Sequence, residues 1–235
     1  MLSRSPFATP KFVLQKGLCI EKPPANSFFN RAFNAHLDIA EKTYNTQFIT
    51  GIKNGNLPPF AYGAFTVADS YYTYRSIDAL SIAINKLASA DKSNPVRDLL
   101  IEIRSRYVAF NKFFAKVWRI KGLESINPTQ KLIDYVNHYV AVAKNEQPIY
   151  LLVAVLPCYH LWFWLGDRLK AYTKNNLYEE WITLTNNPDE AYLIGNFLEE
   201  YPQYDEKHAL IIYKTSMSFE LANFLDGGRF GVYEK

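Results

Sequence analysis

The 235-residue sequence predicts an all-α protein of about eight helices in a single domain. Apolar residues recur at spacings of three and four along most of the chain, which is the pattern of amphipathic helices. Prolines open several of these segments, and no alternating apolar run flanks a hairpin dipeptide. Hydrophobic residues make up 49% of the chain, so one domain of this length can bury a large core. The domain is predicted at 26–235, after a poorly ordered N-terminal arm at 1–25.

Local start and stop signals define the individual helices. Each predicted helix begins at a capping residue or a proline, and most end near a glycine or an asparagine. The predicted helices lie at about 26–55, 58–90, 94–118, 127–145, 148–172, 177–186, 189–200 and 205–225. The pair Gly227-Gly228 is predicted to close the last of them.

The fifth helix contains the most apolar stretch of the chain. Its residues 149–165, "IYLLVAVLPCYHLWFWL", are nearly numerous enough to span a bilayer. Pro157, His160 and several other side chains with polar groups favour a core helix of a protein that does not insert into a membrane. Proline removes a backbone donor and crowds the preceding turn, so Pro157 predicts a bend that opens a small pocket beside Cys158.

Composition narrows the classes of partner and compartment. The net charge is +3, and no basic tract stands out, so nucleic acid is not a predicted partner. Two cysteines cannot form a disulfide framework and suit a reducing compartment, which predicts a cytoplasmic protein. The first 20 residues contain no acidic residue and no apolar signal region, which is consistent with a poorly ordered arm. A transit peptide is the alternative.

The histidines give little support for a metal centre. Helical di-metal sites use Glu-x-x-His pairs, because residues three apart project from one helix face. None of the four histidines follows such a glutamate, and the single pair Asp134 and His138 at i, i+4 is more typical of a surface contact. No metal and no cofactor are therefore predicted.

Three side chains are candidates for acid–base or nucleophilic chemistry. Asp69 follows apolar residues in "FTVADSYYTY", and Glu220 lies between Phe219 and Leu221. A carboxyl group among apolar side chains needs a partner or a function, since burial of an unpaired charge is costly. Cys158 follows Pro157 in "LPCY". Taken singly, each of the three is more typical of a structural role than of a catalytic one.

Taken together, these segments resemble the TenA family of thiaminase II-type aminopyrimidine hydrolases. The resemblance runs from about residue 28 to 226. It rests on "DSYY" (69–72), "Y-x-x-H" (135–138), "LPCY" (156–159) and an aromatic–glutamate pair in "FELANF" (219–224). It implies a haem-oxygenase-like helical bundle. The catalytic residues that it implies are Cys158, Glu220 and Asp69, and it implies Tyr72 and Tyr135 as substrate-binding residues. Trp162 and Phe65 are also predicted to bind substrate.

The resemblance also implies a reaction. Asp69 would polarise a pyrimidine ring, Cys158 would add to it, and Glu220 would handle the protons of the leaving group and water. The implied partner is a small pyrimidine such as aminomethyl-pyrimidine or thiamine, converted to hydroxymethyl-pyrimidine in thiamine salvage. Members of the family are typically homo-oligomers, which predicts a dimer or tetramer.

Departures from the family pattern leave the substrate open. Trp162 and Thr185 stand where the family often has tyrosines, and Ala68 precedes Asp69 in place of a glutamine. Trp162 follows Cys158 by four residues, so the two side chains are predicted to border one cavity. The alternatives are a related enzyme acting on another heterocyclic amine and a non-catalytic protein that binds a thiamine-like ligand.

Overall fold

The computed structural model describes residues 20–88, 94–117, 119 and 122–229. Cys19 and the rest of the predicted arm before residue 20 lie outside the described residues. Within that part of the chain the structure contains ten α-helices, two short 3-10 segments and no strand, which confirms the all-α prediction. The helices are α1 (Phe28–Ala35), α2 (Leu37–Tyr44), α3 (Gln47–Lys53), α4 (Pro59–Ala88), α5 (Pro95–Val117), α6 (Gln130–Asn145), α7 (Ile149–Leu169), α8 (Glu179–Thr185), α9 (Asp189–Glu200) and α10 (Glu206–Arg229).

The single helix predicted at 26–55 is wrong, because this segment forms α1, α2 and α3. His36 separates α1 from α2 with φ −126° and ψ 25°, outside helical geometry, and its Nδ1 lies 2.8 Å from the Ala32 carbonyl oxygen. Thr46 is extended and caps α3, where its hydroxyl accepts a hydrogen bond from the Ile49 amide. The apolar spacing continues across both breaks, so the sequence pattern alone does not reveal them.

The predicted stop at Gly227-Gly228 is also wrong, since α10 continues through both glycines to Arg229. A Cβ atom on Gly227 would lie 2.5 Å from the Phe65 ring, and one on Gly228 would lie 3.0 Å from the Gln47 Cβ. These glycines therefore allow α10 to pack closely against α3 and α4. Here glycine serves close packing, where the sequence suggested a helix end.

Helix α7 lies at the centre of the bundle and contacts α6, α8, α9 and α10. Every residue from Ile149 to Pro157 is buried, and the helix continues through Pro157. The stretch Ile149–Tyr172 is long and apolar enough to cross a membrane, but 72% of its most apolar window is buried inside the protein. This burial agrees with the predicted core helix.

Gly166 allows α8 to approach α7 at backbone distance. A Cβ atom at this position would lie 2.4 Å from the Asn186 amide nitrogen and 2.6 Å from the Thr185 carbonyl carbon. The C-terminal end of α8 therefore rests directly on α7. This contact brings Trp181 beside Trp162, with ring centroids 5.6 Å apart, and fixes one wall of a cavity between α4, α5, α7 and α8.

Candidate active site

A cavity of about 650 Å³ lies between α4, α5, α7 and α8. Its wall includes the residues that the sequence pattern placed at one site, with two exceptions. The predicted residues that line it are Phe65, Asp69, Tyr72, Cys158 and Trp162, and Thr185 lines it as well. Cys158 and Trp162 border the same cavity, as their spacing predicted. The two exceptions, Glu220 and Tyr135, lie behind the wall.

Glu220 is buried directly behind Cys158 and Trp162, with 2% of its surface exposed. Its Oε1 accepts a hydrogen bond of 2.6 Å from the Tyr135 hydroxyl, and its Oε2 accepts one of 3.1 Å from the Trp162 indole. The Cys158 thiol is a third donor to this carboxyl group. Burial raises the pKa of Glu220, while the three donors act in the opposite direction by stabilising the carboxylate.

The surroundings of the Cys158 thiol favour its protonated form. Burial raises its pKa well above the usual value, the charges of Glu220 and Asp69 add to this effect, and a hydrogen bond with Tyr72 opposes it. These surroundings oppose ionisation of the thiol in the substrate-free protein. The neighbouring Glu220 carboxylate is the base to which this proton can pass.

Asp69 is poised to exchange a proton near neutral pH. Burial and, to a smaller extent, the negative charge of Glu220 raise its pKa to about 7. Because the side chain lines the cavity, a ligand nitrogen can reach it. A carboxyl group with this pKa is suited to general acid catalysis, since it both holds and releases a proton at neutral pH.

The raised pKa of Asp69 predicts a pH-dependent effect of Asp69→Asn on stability. A carboxyl group whose pKa is higher in the folded than in the unfolded state favours folding at low pH, and loses this contribution as the pH rises through the folded-state value. The variant should therefore have a higher Tm than the wild type at about pH 8, and a similar Tm at about pH 4. Thermal melts at both pH values test this, and a lower Tm at the higher pH would contradict it.

Three buried tyrosines connect Glu220 to the cavity wall. The Tyr135 hydroxyl lies 2.9 Å from that of Tyr139, which lies 2.8 Å from that of Tyr72. Burial raises the pKa of all three well above the ordinary value, so each phenol stays neutral. Tyr135, predicted to bind substrate, lies behind the cavity wall and contacts Glu220 within the chain of hydroxyls. Tyr139 was not predicted, although its spacing of four from Tyr135 placed both on one face of α6.

Helix α5 supplies a long aromatic wall that sequence reasoning did not assign to the site. Tyr107, Phe110, Phe113 and Val117 line the cavity along one side. At 1.5 Å per residue, the wall extends over roughly 15 Å from Tyr107 to Val117. These residues occupy the apolar face of an amphipathic helix, where a cavity wall and a packed core have the same pattern.

The histidines serve packing and local hydrogen bonds. Burial lowers the pKa of His138 to about 4, and its Nε2 lies 3.1 Å from the Ser216 hydroxyl. Asp134, its predicted contact, accepts a hydrogen bond from Gln130. The His160 ring stacks on Phe29 with centroids 3.6 Å apart. In the part of the chain that the structure describes, no group of three histidine, cysteine or acidic residues could hold a metal ion.

The sequence matches a family model over most of its length. The model is that of the TENA/THI-4/PQQC family, and the match covers residues 34–222, which include every predicted site residue. The chain belongs to this family. Among individual proteins, the aminopyrimidine aminohydrolase of Halalkalibacterium halodurans is 25% identical over 163 residues, which are 67% of this chain and 73% of that protein.

Solved structures of the TenA family share the fold. A TenA homologue from P. horikoshii superposes with a TM-score of 0.76 at 20% identity, covering 86% of this chain and 99% of that one. A TenA family transcription regulator from Silicibacter sp. TM1040 gives a TM-score of 0.73 at 17% identity, with coverage of 87% and 98%. The haem-oxygenase-like bundle implied by the resemblance is thereby confirmed.

Proposed function

We propose that this protein hydrolyses aminopyrimidines of the thiamine-salvage type by nucleophilic catalysis at Cys158. One observation carries the proposal: a thiol, a carboxyl group with a pKa of about 7 and aromatic faces line the same cavity, with a second carboxyl group directly behind the thiol. The named activity of the Halalkalibacterium relative supports the same reaction class.

The reaction begins with activation of the pyrimidine ring. Asp69 donates a proton to a ring nitrogen, which makes the ring carbons more electrophilic. Phe65 and Trp162, with ring centroids 6.1 Å apart and planes inclined by 29°, offer aromatic faces to a flat heterocycle. Tyr72 contributes a hydroxyl beside the sulfur, since it lines the cavity and hydrogen-bonds to Cys158.

Carbon–nitrogen cleavage then follows in two stages. Glu220 takes the thiol proton, and the Cys158 sulfur adds to the protonated ring. The electron pair of the adduct expels the amine from the exocyclic methylene carbon. Water adds to this carbon and the sulfur leaves the ring, so that aminomethyl-pyrimidine and water give hydroxymethyl-pyrimidine and ammonia. Splitting the displacement in this way avoids direct attack on an unactivated carbon.

A larger heterocyclic amine is the second candidate substrate. Cavities of about 300–1,000 Å³ accommodate drug-sized ligands, so a volume of about 650 Å³ exceeds the need of one substituted ring. The aromatic wall of α5 offers apolar contact to a substituent on the leaving amine. Thiamine, with its second ring, also falls within this class.

The choice between these substrates can be tested at Trp162 and Thr185, which stand where the family often has tyrosines. Restoring Trp162→Tyr together with Thr185→Tyr should raise kcat/KM for aminomethyl-pyrimidine, because two hydroxyls would return to a wall that now has one indole N–H facing Glu220. The Thr185 hydroxyl donates to the Trp181 carbonyl oxygen at 3.0 Å, so its proton is not available to a ligand. Unchanged kcat/KM with a lower Tm would show that Trp162 only fills space.

A turnover assay tests the proposed function directly. Purified protein is incubated separately with aminomethyl-pyrimidine and with thiamine, and the products are identified by mass. We expect hydroxymethyl-pyrimidine from at least one of them. Tight binding of either compound without turnover would instead support the non-catalytic alternative.

We also propose a homo-oligomer, dimer or tetramer, from the family resemblance. The low number of cysteines suits a reducing compartment, so we propose that the protein acts in the cytoplasm.

A further inference from the structure

Glu220 does not line the cavity, although the proposed reaction needs its proton at the leaving group inside the cavity. A substrate amine that binds as the neutral free base needs a proton as its bond to carbon breaks, because an amide anion is a very poor leaving group. Glu220 holds the proton that it took from Cys158, yet it does not line the cavity, since Cys158 and Trp162 lie in front of it. Asp69 does line the cavity, but in the proposed mechanism it is engaged with the ring nitrogen.

The buried tyrosines provide a continuous hydrogen-bonded path between the two. Tyr135 contacts Glu220 at 2.6 Å, Tyr139 lies 2.9 Å from Tyr135, and Tyr72 lies 2.8 Å from Tyr139. Tyr72 forms part of the cavity wall, whereas Tyr139 is fully buried and Tyr135 is 1% exposed. The path therefore starts at the buried carboxyl group and ends at a hydroxyl that a bound substrate can touch.

We propose that Tyr135, Tyr139 and Tyr72 form a proton relay from Glu220 to the leaving group of the substrate, with Tyr139 as its indispensable middle member. The relay rests on the proposed function. In it the protonated Glu220 gives its proton to the Tyr135 oxygen as Tyr135 passes its own to Tyr139. Tyr139 in turn passes its proton to Tyr72, and Tyr72 passes its proton to the leaving nitrogen.

The proton balance of these transfers is closed. One O–H bond breaks at Glu220 and one N–H bond forms on the amine, while each tyrosine gives one proton and receives one. All three phenols are neutral before and after, in agreement with pKa values raised far above neutrality by burial. The amine gains one proton for each proton that Cys158 delivered to Glu220, so no further reactant is needed.

Comparing two substrates with different leaving groups distinguishes a relay role of Tyr139 from a structural role. The neutral free amine of aminomethyl-pyrimidine must gain a proton to leave, whereas the thiazolium of thiamine leaves as a neutral thiazole without one. Tyr139→Phe should lower kcat for aminomethyl-pyrimidine about 10–100-fold, with KM little changed, because it removes one member of a general-acid pathway. Its kcat for thiamine, or for the corresponding pyridinium compound, should fall less than about threefold.

Tyr213→Phe is the matched control. Tyr213 is also fully buried, and its hydroxyl has no hydrogen-bond partner in the described structure, so the change removes a buried hydroxyl outside the proposed relay. It should preserve kcat for both substrates. Melting curves of both variants verify that the proteins are folded at the assay temperature.

The outcomes distinguish the relay from the function on which it rests. If Tyr139→Phe lowers kcat equally for both leaving groups, or for neither, the relay is refuted while hydrolysis by the wild type stands. Absence of turnover by the wild type with every substrate would refute the proposed function itself, and the relay with it.

Discussion

Cys158→Ser should lower hydrolysis of aminomethyl-pyrimidine by about 10⁴-fold while the protein remains folded. Loss of a nucleophile typically removes most of the rate enhancement. The rate that remains then comes from binding and electrostatics. Serine is close in size to cysteine, and the Cys158 side chain is partly exposed to the cavity, so little packing is lost. Steady-state rates and melting curves of the two proteins provide the measurement.

The expected loss discriminates between a nucleophile and a cavity wall residue. A serine hydroxyl ionises far less readily than a thiol, so Glu220 would not activate it to the same degree. Cys158→Ala serves as a second variant that removes the nucleophile without adding a hydroxyl. If either variant retained more than about a tenth of the wild-type rate, addition of the sulfur to the ring would not be part of the mechanism.

Glu220→Gln should have opposite effects on turnover and on thiol reactivity. Turnover should fall by about 10²–10⁴-fold, because the glutamine amide cannot accept the thiol proton. The thiol should nevertheless be alkylated faster than in the wild type at the same pH. The charge of Glu220 is the second largest cause, after burial, of the raised Cys158 pKa, and removing it increases the fraction of thiolate.

The pH profile of alkylation gives the sign of this effect. A lower Cys158 pKa moves the rise in iodoacetamide reactivity to lower pH in Glu220→Gln. Asp226→Asn is the control, because Asp226 is a mostly buried acid on the same helix that pairs with Lys131 at 3.3 Å. It should leave both turnover and the alkylation profile unchanged. A parallel decrease of turnover and alkylation in Glu220→Gln would indicate a disrupted site and not a missing base.

The fold and several residues of the cavity wall could be predicted from the sequence, because both depend on local patterns. Apolar spacing located α4 to α10 with ends near those observed, except for the C-terminal end of α10. The spacing of four between Cys158 and Trp162 placed both at one cavity. Asp69 and Tyr72 were assigned from a short motif on one helix and also line that cavity. Their assigned roles remain predictions that the variants above test.

The remaining features depend on contacts between helices distant in sequence. Gly227 is read as a helix end from the sequence alone, and only its contact with Phe65 reveals the need for a residue without Cβ. The position of Glu220 behind the wall results from its bonds to Tyr135 and Trp162, which come from α6 and α7. Such relations cannot be obtained from helical periodicity, because periodicity defines a buried face but not the neighbour that covers it.

The most direct test of catalysis by Cys158 uses a protein with a single thiol. The chain has two cysteines, so Cys19→Ser leaves Cys158 as the one alkylation site. This protein is treated with iodoacetamide at alkaline pH, and the alkylated fraction, by intact mass, is compared with the remaining hydrolysis of aminomethyl-pyrimidine. The account predicts that activity falls in proportion to alkylation and that hydroxymethyl-pyrimidine slows both. Full alkylation of Cys158 with undiminished hydrolysis would contradict it.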